Sequence, residues 1–364
     1  MKKKLLAAAL ATAFAAPAMA DNVQIYGAFD VGVLARSGGG DIQVASGMNG
    51  HNGIGFRMSE DLGNGMKISG DAMFGFALDS AGGNFNPSGT NGNFSTIYSY
   101  LALSGDFGTL IGGRAGGARA GFIKQYDPFG GFGVGNALQT MGSALGNADY
   151  ADNVLAWITP EVFPGMKVLA AYTSNLVGQD PVPQNAAGTV RSDLYALAAL
   201  YNSGPLSVTL AYENAILKAG GAQISKTGSG HVDVWTAAAS YDFGVAKLSA
   251  LYTNLESYQR GWLVGARAPI SEAATFKISY SHSTADTGAG SGTCAKAAAG
   301  VDYDLSKRTR VYADVAHLTE QDSTGTCAAG INTNGGSYSN AGSGRDNGVG
   351  LGSTGVNVGV RHTF

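Results

Sequence analysis

From Asn22 onward the chain is built of short segments in which apolar and polar residues alternate. Val23, Ile25, Phe29, Val31 and Val33 fall on one parity, and Gln24, Tyr26 and Asp30 on the other. Ile54, Phe56 and Met58 alternate with Gly55, Arg57 and Ser59. Leu206, Val208, Leu210 and Tyr212 oppose Ser207, Thr209 and Glu213. Phe276, Ile278 and Tyr280 oppose Thr275, Lys277, Ser279 and Ser281, while Val311, Ala313 and Val315 oppose Arg310, Tyr312 and Asp314. The chain ends in the same way, with Val356, Val358, Val360, His362 and Phe364 against Asn357, Gly359, Arg361 and Thr363. A period of two belongs to the β-strand, so each segment predicts a strand with one apolar face and one polar, charge-bearing face.

The connections come in two kinds. The short ones carry compact turn chemistry at Asp61–Gly65, Gly105–Gly108, Thr159–Gly165, Asn202–Pro205, Asp242–Gly244, Pro269–Glu272 and Asp304–Lys307. The long ones, rich in Gly, Ser, Asn and Ala, run Ser37–His51, Ser80–Gly92, Ala115–Asp152, Gly178–Val190, Ala219–Gly230, briefly near Ser257, Thr287–Thr293 and Ser323–Thr354. Eight long and seven short connections in strict alternation join sixteen strands. At about 21 residues per strand and connection, the strands have the roughly ten-residue length of membrane-spanning β-strands. The expected fold is all-β: a 16-stranded antiparallel transmembrane β-barrel, lipid on the apolar face and water on the polar one. Tyr172, Tyr201, Tyr241, Phe243, Tyr252, Trp262, Tyr280 and Tyr303, near strand ends, are candidates for interfacial girdles.

The N-terminus supports export. Lys2, Lys3 and Lys4 precede the apolar run Leu5–Ala16, and Ala18-Met19-Ala20 has the form of a cleavage site. Residues 1–20 are therefore expected to be a signal peptide cleaved after Ala20, and 21–364 a single barrel domain. No later segment approaches the roughly 20 apolar residues of a membrane helix. Charged residues are only 13% of the chain, about half the soluble norm. Without the leader, 20 basic residues face 26 acidic ones, which argues against a nucleic-acid partner. Cys294 and Cys327 are the only cysteines, and in an exported chain they favour a disulfide.

Catalytic and cofactor motifs do not survive inspection. Gly350-Leu351-Gly352-Ser353-Thr354-Gly355 has glycine-rich dinucleotide spacing but leads into a strand, where no helix N-terminus can hold a phosphate. The run Gly112–Gly117 lacks the Lys-Ser/Thr of a phosphate-binding loop. Asp314 and His317 fall on opposite faces of one strand, and Ser281-His282-Ser283 has no nucleophile-elbow pattern. No enzyme activity and no cofactor are expected.

Several stretches resemble the general trimeric porins of Gram-negative outer membranes, in particular their betaproteobacterial branch. Asn22-Val23-Gln24-Ile25-Tyr26-Gly27 resembles the first strand of that family, and Ser59-Glu60-Asp61-Leu62-Gly63 its first periplasmic turn. Leu103–Gly108, leading to Gly113-Arg114, resembles the second turn; Tyr241–Leu248 and Asp304–Thr309 resemble later ones. Val358–Phe364 closes as the family does. The resemblance implies a homotrimer of sixteen-stranded barrels in the outer membrane, with periplasmic termini and a long third extracellular loop folded into the lumen. Its counterpart here is Ala115–Asp152, the longest connection, with Asp127-Pro128-Phe129-Gly130-Gly131 at its turn. The implied function is passive diffusion of small hydrophilic solutes and ions. The alternative is a substrate-specific porin for sugars or small organic acids. Implied partners are outer-membrane lipid, further copies of the chain, such solutes, and the barrel assembly machinery, for which Phe364 would be the signal.

Parity places Arg57, Lys67, Lys247, Lys277, Arg310 and Arg361 on the lumen face, with Asp30, Asp71, Glu213 and Asp314. Arg114 follows Gly112-Gly113, where a bulge would shift the parity; the resemblance puts it at the mouth of the loop. Anion-preferring members carry arginines on the wall facing that loop, at positions corresponding to Gly53, Tyr98 and Tyr150. None of these is basic, which argues against strong anion preference. The constriction candidates are Arg57, Lys67, Tyr98, Arg114, Asp127, Tyr150 and Arg310.

Overall fold

The structure is a computed structural model. It describes residues 22–38, 42–79, 95–141, 150–174, 190–219, 222–223, 231–286, 291–321, 331 and 352–364. The leader, its cleavage site and Cys327 lie outside these residues. The elements in chain order are β1 (Asn22–Arg36), β2 (Gln43–Ser46), β3 (Gly53–Gly63), β4 (Met66–Gly75), β5 (Ser95–Gly105), β6 (Gly108–Gly116), α1 (Ala118–Tyr126), α2 (Leu138–Met141), β7 (Tyr150–Ile158), β8 (Met166–Thr173), β9 (Val190–Ser203), β10 (Leu206–Ala219), β11 (Ala222–Gln223), β12 (His231–Asp242), β13 (Lys247–Leu255), β14 (Gln259–Pro269), β15 (Ala274–Asp286), β16 (Ser291–Asp304), β17 (Thr309–Gln321) and β18 (Thr354–Thr363).

Each spanning strand pairs antiparallel with its neighbours, and β1 closes the sheet. Its first half pairs with β3, from Asn22↔Ser59 to Ala28↔Gly53. Its second half pairs with β18, from Ala28↔Thr363 to Arg36↔Gly355. With β2 and β11 set aside as short pieces of long connections, sixteen strands form a closed barrel. All seven expected short turns are present. Closure leaves no sheet edge, so every spanning backbone segment finds its partners within the wall.

The exposure pattern is that of a soluble protein turned inside out. Val23, Ile25, Leu210, Trp235 and Val358 are 52–63% exposed, whereas Asp30, Thr209, Thr253 and Asn357 are at most 1% exposed. An apolar exterior over a polar interior is the arrangement that lipid selects. Between the two, Gly27 and Phe364 exchange backbone hydrogen bonds (3.2 and 3.1 Å), and the Phe364 ring packs on Phe29 at 5.6 Å. A Cβ on Gly27 would fall 2.4 Å from that ring, so glycine makes the space in which the terminal residue closes the seam.

The core lies inside the barrel. Ala120, Ile123, Tyr126, Ala137, Leu138 and Met141 pack on inward-facing Ala238, Leu251 and Leu263. Phe129 and Val134 join Met48, Tyr312, Ala316 and Leu318 in a second cluster. The inner face is therefore not uniformly polar, as simple alternation implies. It carries apolar residues where a loop covers it. Cys294 is buried in β16, and no described cysteine is free.

Candidate pore constriction

The third long connection starts at a bulge. The register of β6 on β7 shifts between Gly113 and Ala115, and Gly113 has φ +134° with its ideal Cβ only 2.4 Å from the Ser99 carbonyl oxygen. Only glycine fits there. Beyond the bulge, α1 lies on inward-facing side chains: the Arg119 Nε donates to Thr253 Oγ1 (3.2 Å), and the Tyr126 hydroxyl meets Ser207 Oγ (3.1 Å) and Thr209 Oγ1 (2.9 Å). Phe122 packs on Ala198 and Ala211. At the tip, the Asp127 carboxylate accepts from the N–H groups of Phe129, Gly131 and Ala137 at 2.9–3.0 Å, which folds the Pro-Phe-Gly-Gly turn back on itself. The tip then reaches the last strands, where Val134 N–H donates to Asn357 Oδ1 (2.8 Å). The Lys296 ammonium donates to the Asn136 carbonyl and to Gln139 Oε1 (3.1 Å). In α2, Thr140 bonds Ser281 (2.7 Å) and receives Gln259 Nε2 at its carbonyl (2.9 Å).

Residues 117–141 thus lie along the inner wall from β9 round to β18. The inner wall of β1 and β3–β7 carries a different set of groups. The Arg57 guanidinium forks onto Asp71 Oδ2 through Nε (2.9 Å) and Nη2 (2.8 Å) and lies 4.7 Å from the Tyr26 ring. The Tyr26 hydroxyl also bonds Asp71 and meets the Tyr98 hydroxyl (2.6 Å). Tyr98 neighbours Tyr100 at 6.1 Å and Tyr150 at 5.7 Å. Arg114 pairs with Asp152, donates through Nε to the carbonyls of Thr96 and Ile97 (3.1 and 3.0 Å), and lies 5.9 Å from the Tyr150 ring. From the loop, Lys124 approaches Tyr150 (5.8 Å) and Phe132 (4.9 Å), and His51 meets both rings.

The structure brings Arg57, Tyr98, Arg114 and Tyr150 together, on one wall and within one chain of contacts. It places the other three candidates elsewhere. Asp127 is 4% exposed and turned into its own loop, because three backbone donors hold it there; burial raises its carboxyl above the usual range, with those donors opposing. Lys67 is exposed opposite Asp61, beside the first short turn. Arg310 pairs with Asp304 (2.6 Å) and Asp302 (3.4 Å) at the same end of the barrel. Several other parity-assigned lumen charges are also tied up. Asp30 accepts from the Tyr312 hydroxyl and the Asn49 N–H, and Lys277 bridges Asp302 (2.7 Å) and Asp314 (3.0 Å) beneath the loop tip.

Sequence reasoning missed Tyr26, His51, Lys124, Phe132 and Asp152 as members of this group. The parity of Tyr26 pointed inward, but nothing local shows that His51 and Phe132 meet. Burial, with Lys124 and Arg361 nearby, holds His51 well below the usual imidazole range, so it stays neutral at pH 7. Burial lowers the Arg119 guanidinium to about 10 against the opposing pull of Glu213.

Residues 7–324 match the family described as Gram-negative porin. The chain belongs to this family. Over the full length of both chains, the porin is 28% identical to outer membrane porin protein 32 of Delftia acidovorans. It is also 28% identical to an outer membrane porin protein of Bordetella pertussis, over 74% of this chain and 73% of that one. The solved anion-selective porin from Comamonas acidovorans superposes with a TM-score of 0.71 at 25% identity, covering 94% of this chain and 99% of that one. The porin is an integral outer-membrane protein that forms a diffusion channel, as the betaproteobacterial resemblance implied.

Proposed function

We propose that this porin passes small hydrophilic solutes by passive diffusion with weak ion selectivity, along a path between the loop and the tyrosine-bearing wall. The observation that carries the reading is the pairing of charge on that wall: Arg57 meets Asp71 and Arg114 meets Asp152. At physiological salt the Debye length is about 8 Å, so only charges at the narrowest point discriminate strongly, and paired ones offer little net field. Reversal potentials across a salt gradient test it: values near zero are expected, and a large preference of either sign would sink the proposal. Arg114→Ala leaves Asp152 without its partner cation and should move the reversal potential toward cation preference. An unchanged potential would remove Arg114 from the ion path.

We further propose a trimer joined through the outer face of β18, β1 and β3–β6. On β8–β15 the outward face bears two aromatic belts. Tyr172–Tyr195 (4.8 Å), Tyr212–Trp235 (4.6 Å) and Trp262–Tyr280 (5.5 Å) lie toward the long loops; Phe163–Tyr201 (6.2 Å) and Tyr241–Phe243 (4.5 Å) lie toward the turns. Such belts mark a wall that faces lipid headgroups. Among the described residues, the outward parity of β18, β1 and β3–β6 holds no Tyr or Trp. It carries instead Val23, Phe56, Met58 and Leu101 around a groove of about 360 Å³ floored by Gly70, Ala72 and Gly112. A Cβ at Gly112 meets no atom of its own barrel within 4 Å, so the position accepts a side chain, and Gly112→Trp puts an indole into the groove. The variant should run on unheated gels as a heat-modifiable monomer where the parent runs as a trimer. A variant still trimeric would place the contact on another face.

A further inference from the structure

We infer that the tyrosine-bearing wall is a binding track for neutral saccharides, a pyranose ring stacking on the tyrosines while its hydroxyls bond the polar groups beside them. The inference rests on the channel reading and names the solute class it favours.

The track is built to present ring faces. Tyr26, Tyr98, Tyr100 and Tyr150 all point inward and are half-buried, Tyr26 beneath Arg57 and Tyr150 between Arg114 and Lys124. The ring of Tyr26 lies flat across Gly55, where a Cβ would fall 2.2 Å from its Cζ; the glycine lets the ring lie against the wall rather than stand out from it. Tyr98 is inclined by 39° to Tyr100 and by 32° to Tyr150. These rings are nearer parallel than edge-on, and their centroids succeed one another at 6.1 and 5.7 Å from Tyr100 through Tyr98 to Tyr150. A pyranose has an apolar C–H face that suits such a surface.

Hydrogen-bonding capacity lies next to those faces. Arg57 bonds Asp71 through Nε and Nη2, so its Nη1, on a side chain 53% exposed, makes no bond among the described residues. The Tyr100 hydroxyl likewise makes none there. One group donates, and the other both donates and accepts, which suits sugar hydroxyls. Two of the three cations beside these rings, Arg57 and Arg114, are each offset by a carboxylate. A carboxylate approaching Arg57 meets Asp71, and one approaching Arg114 meets Asp152. A neutral polyol meets no such opposition.

The test uses the purified full-length porin in planar bilayers, with maltotriose added to one side. Saturable, concentration-dependent interruptions of the ion current are expected. Tyr98→Ala and Tyr150→Ala should each weaken the block by about tenfold, the factor that corresponds to roughly 1.4 kcal/mol. Tyr98→Phe, which keeps the ring, should retain it, and unheated gels show that each variant is a folded barrel. The inference is overturned if maltotriose lowers the current only as bulk conductivity does, or if the block survives both alanine variants. It is also overturned if benzoate blocks and maltotriose does not, which would assign the rings to aromatic carboxylates. A protein that conducts no ions at all would instead overturn the channel reading beneath it.

Discussion

Deleting Gly130–Met141 is expected to raise the single-channel conductance of the purified porin by roughly twofold, because ohmic flow follows the open cross-section of a pore. The segment comprises the loop tip and α2, and its contacts run across the lumen to β14–β18 through Asn357, Lys296, Ser281 and Gln259. None of its bonds belongs to the barrel ladder, so the wall is expected to fold without it. The excision uncovers inward Leu263 and the paired Lys277, Asp302 and Asp314, giving water the volume the tip had filled. A conductance equal to that of the parent would show that the segment lies outside the ion path.

Removing Phe364 has the second large effect, on assembly. The truncated chain loses the two backbone bonds to Gly27, at about 1 kcal/mol each, and a ring contact with Phe29 worth about 1 kcal/mol. At membrane depth a lost backbone partner is not replaced by water, so these values are lower limits. The yield of heat-modifiable barrel in the outer membrane should fall severalfold at low expression. Phe364→Tyr keeps the stack and should restore most of it. Equal insertion of the truncated and parent chains would dispose of any role for the terminal ring.

The barrel was legible in the sequence because its physics is local. Every second residue of β1, β3, β10 and β18 must suit lipid or water, and every turn must reverse the chain within a few residues; both constraints leave a short-range signature. The bulge at Gly113 was legible for the same reason, since two adjacent glycines ahead of an arginine mark a break in register. The site was only half legible. Parity could say that Arg57, Tyr98 and Tyr150 point inward, but not which inward charges see water. That depends on where residues 117–141 lie, and thus on contacts such as Val134 with Asn357, more than two hundred residues apart. Asp127 shows the difference. Its place in a long glycine-rich loop suggested a pore charge, yet the glycines around it let the chain curl until three N–H groups converge on it.

The last strand holds the seam and one of the anchors of the loop tip. Phe364 closes β18 on β1, and Asn357, seven residues earlier, receives the loop tip. The strand that completes the wall therefore also carries one of the contacts that hold the constriction. With both contacts on one strand, a chain cut short before Asn357 would lose the seam and the tip's hold on β18 together.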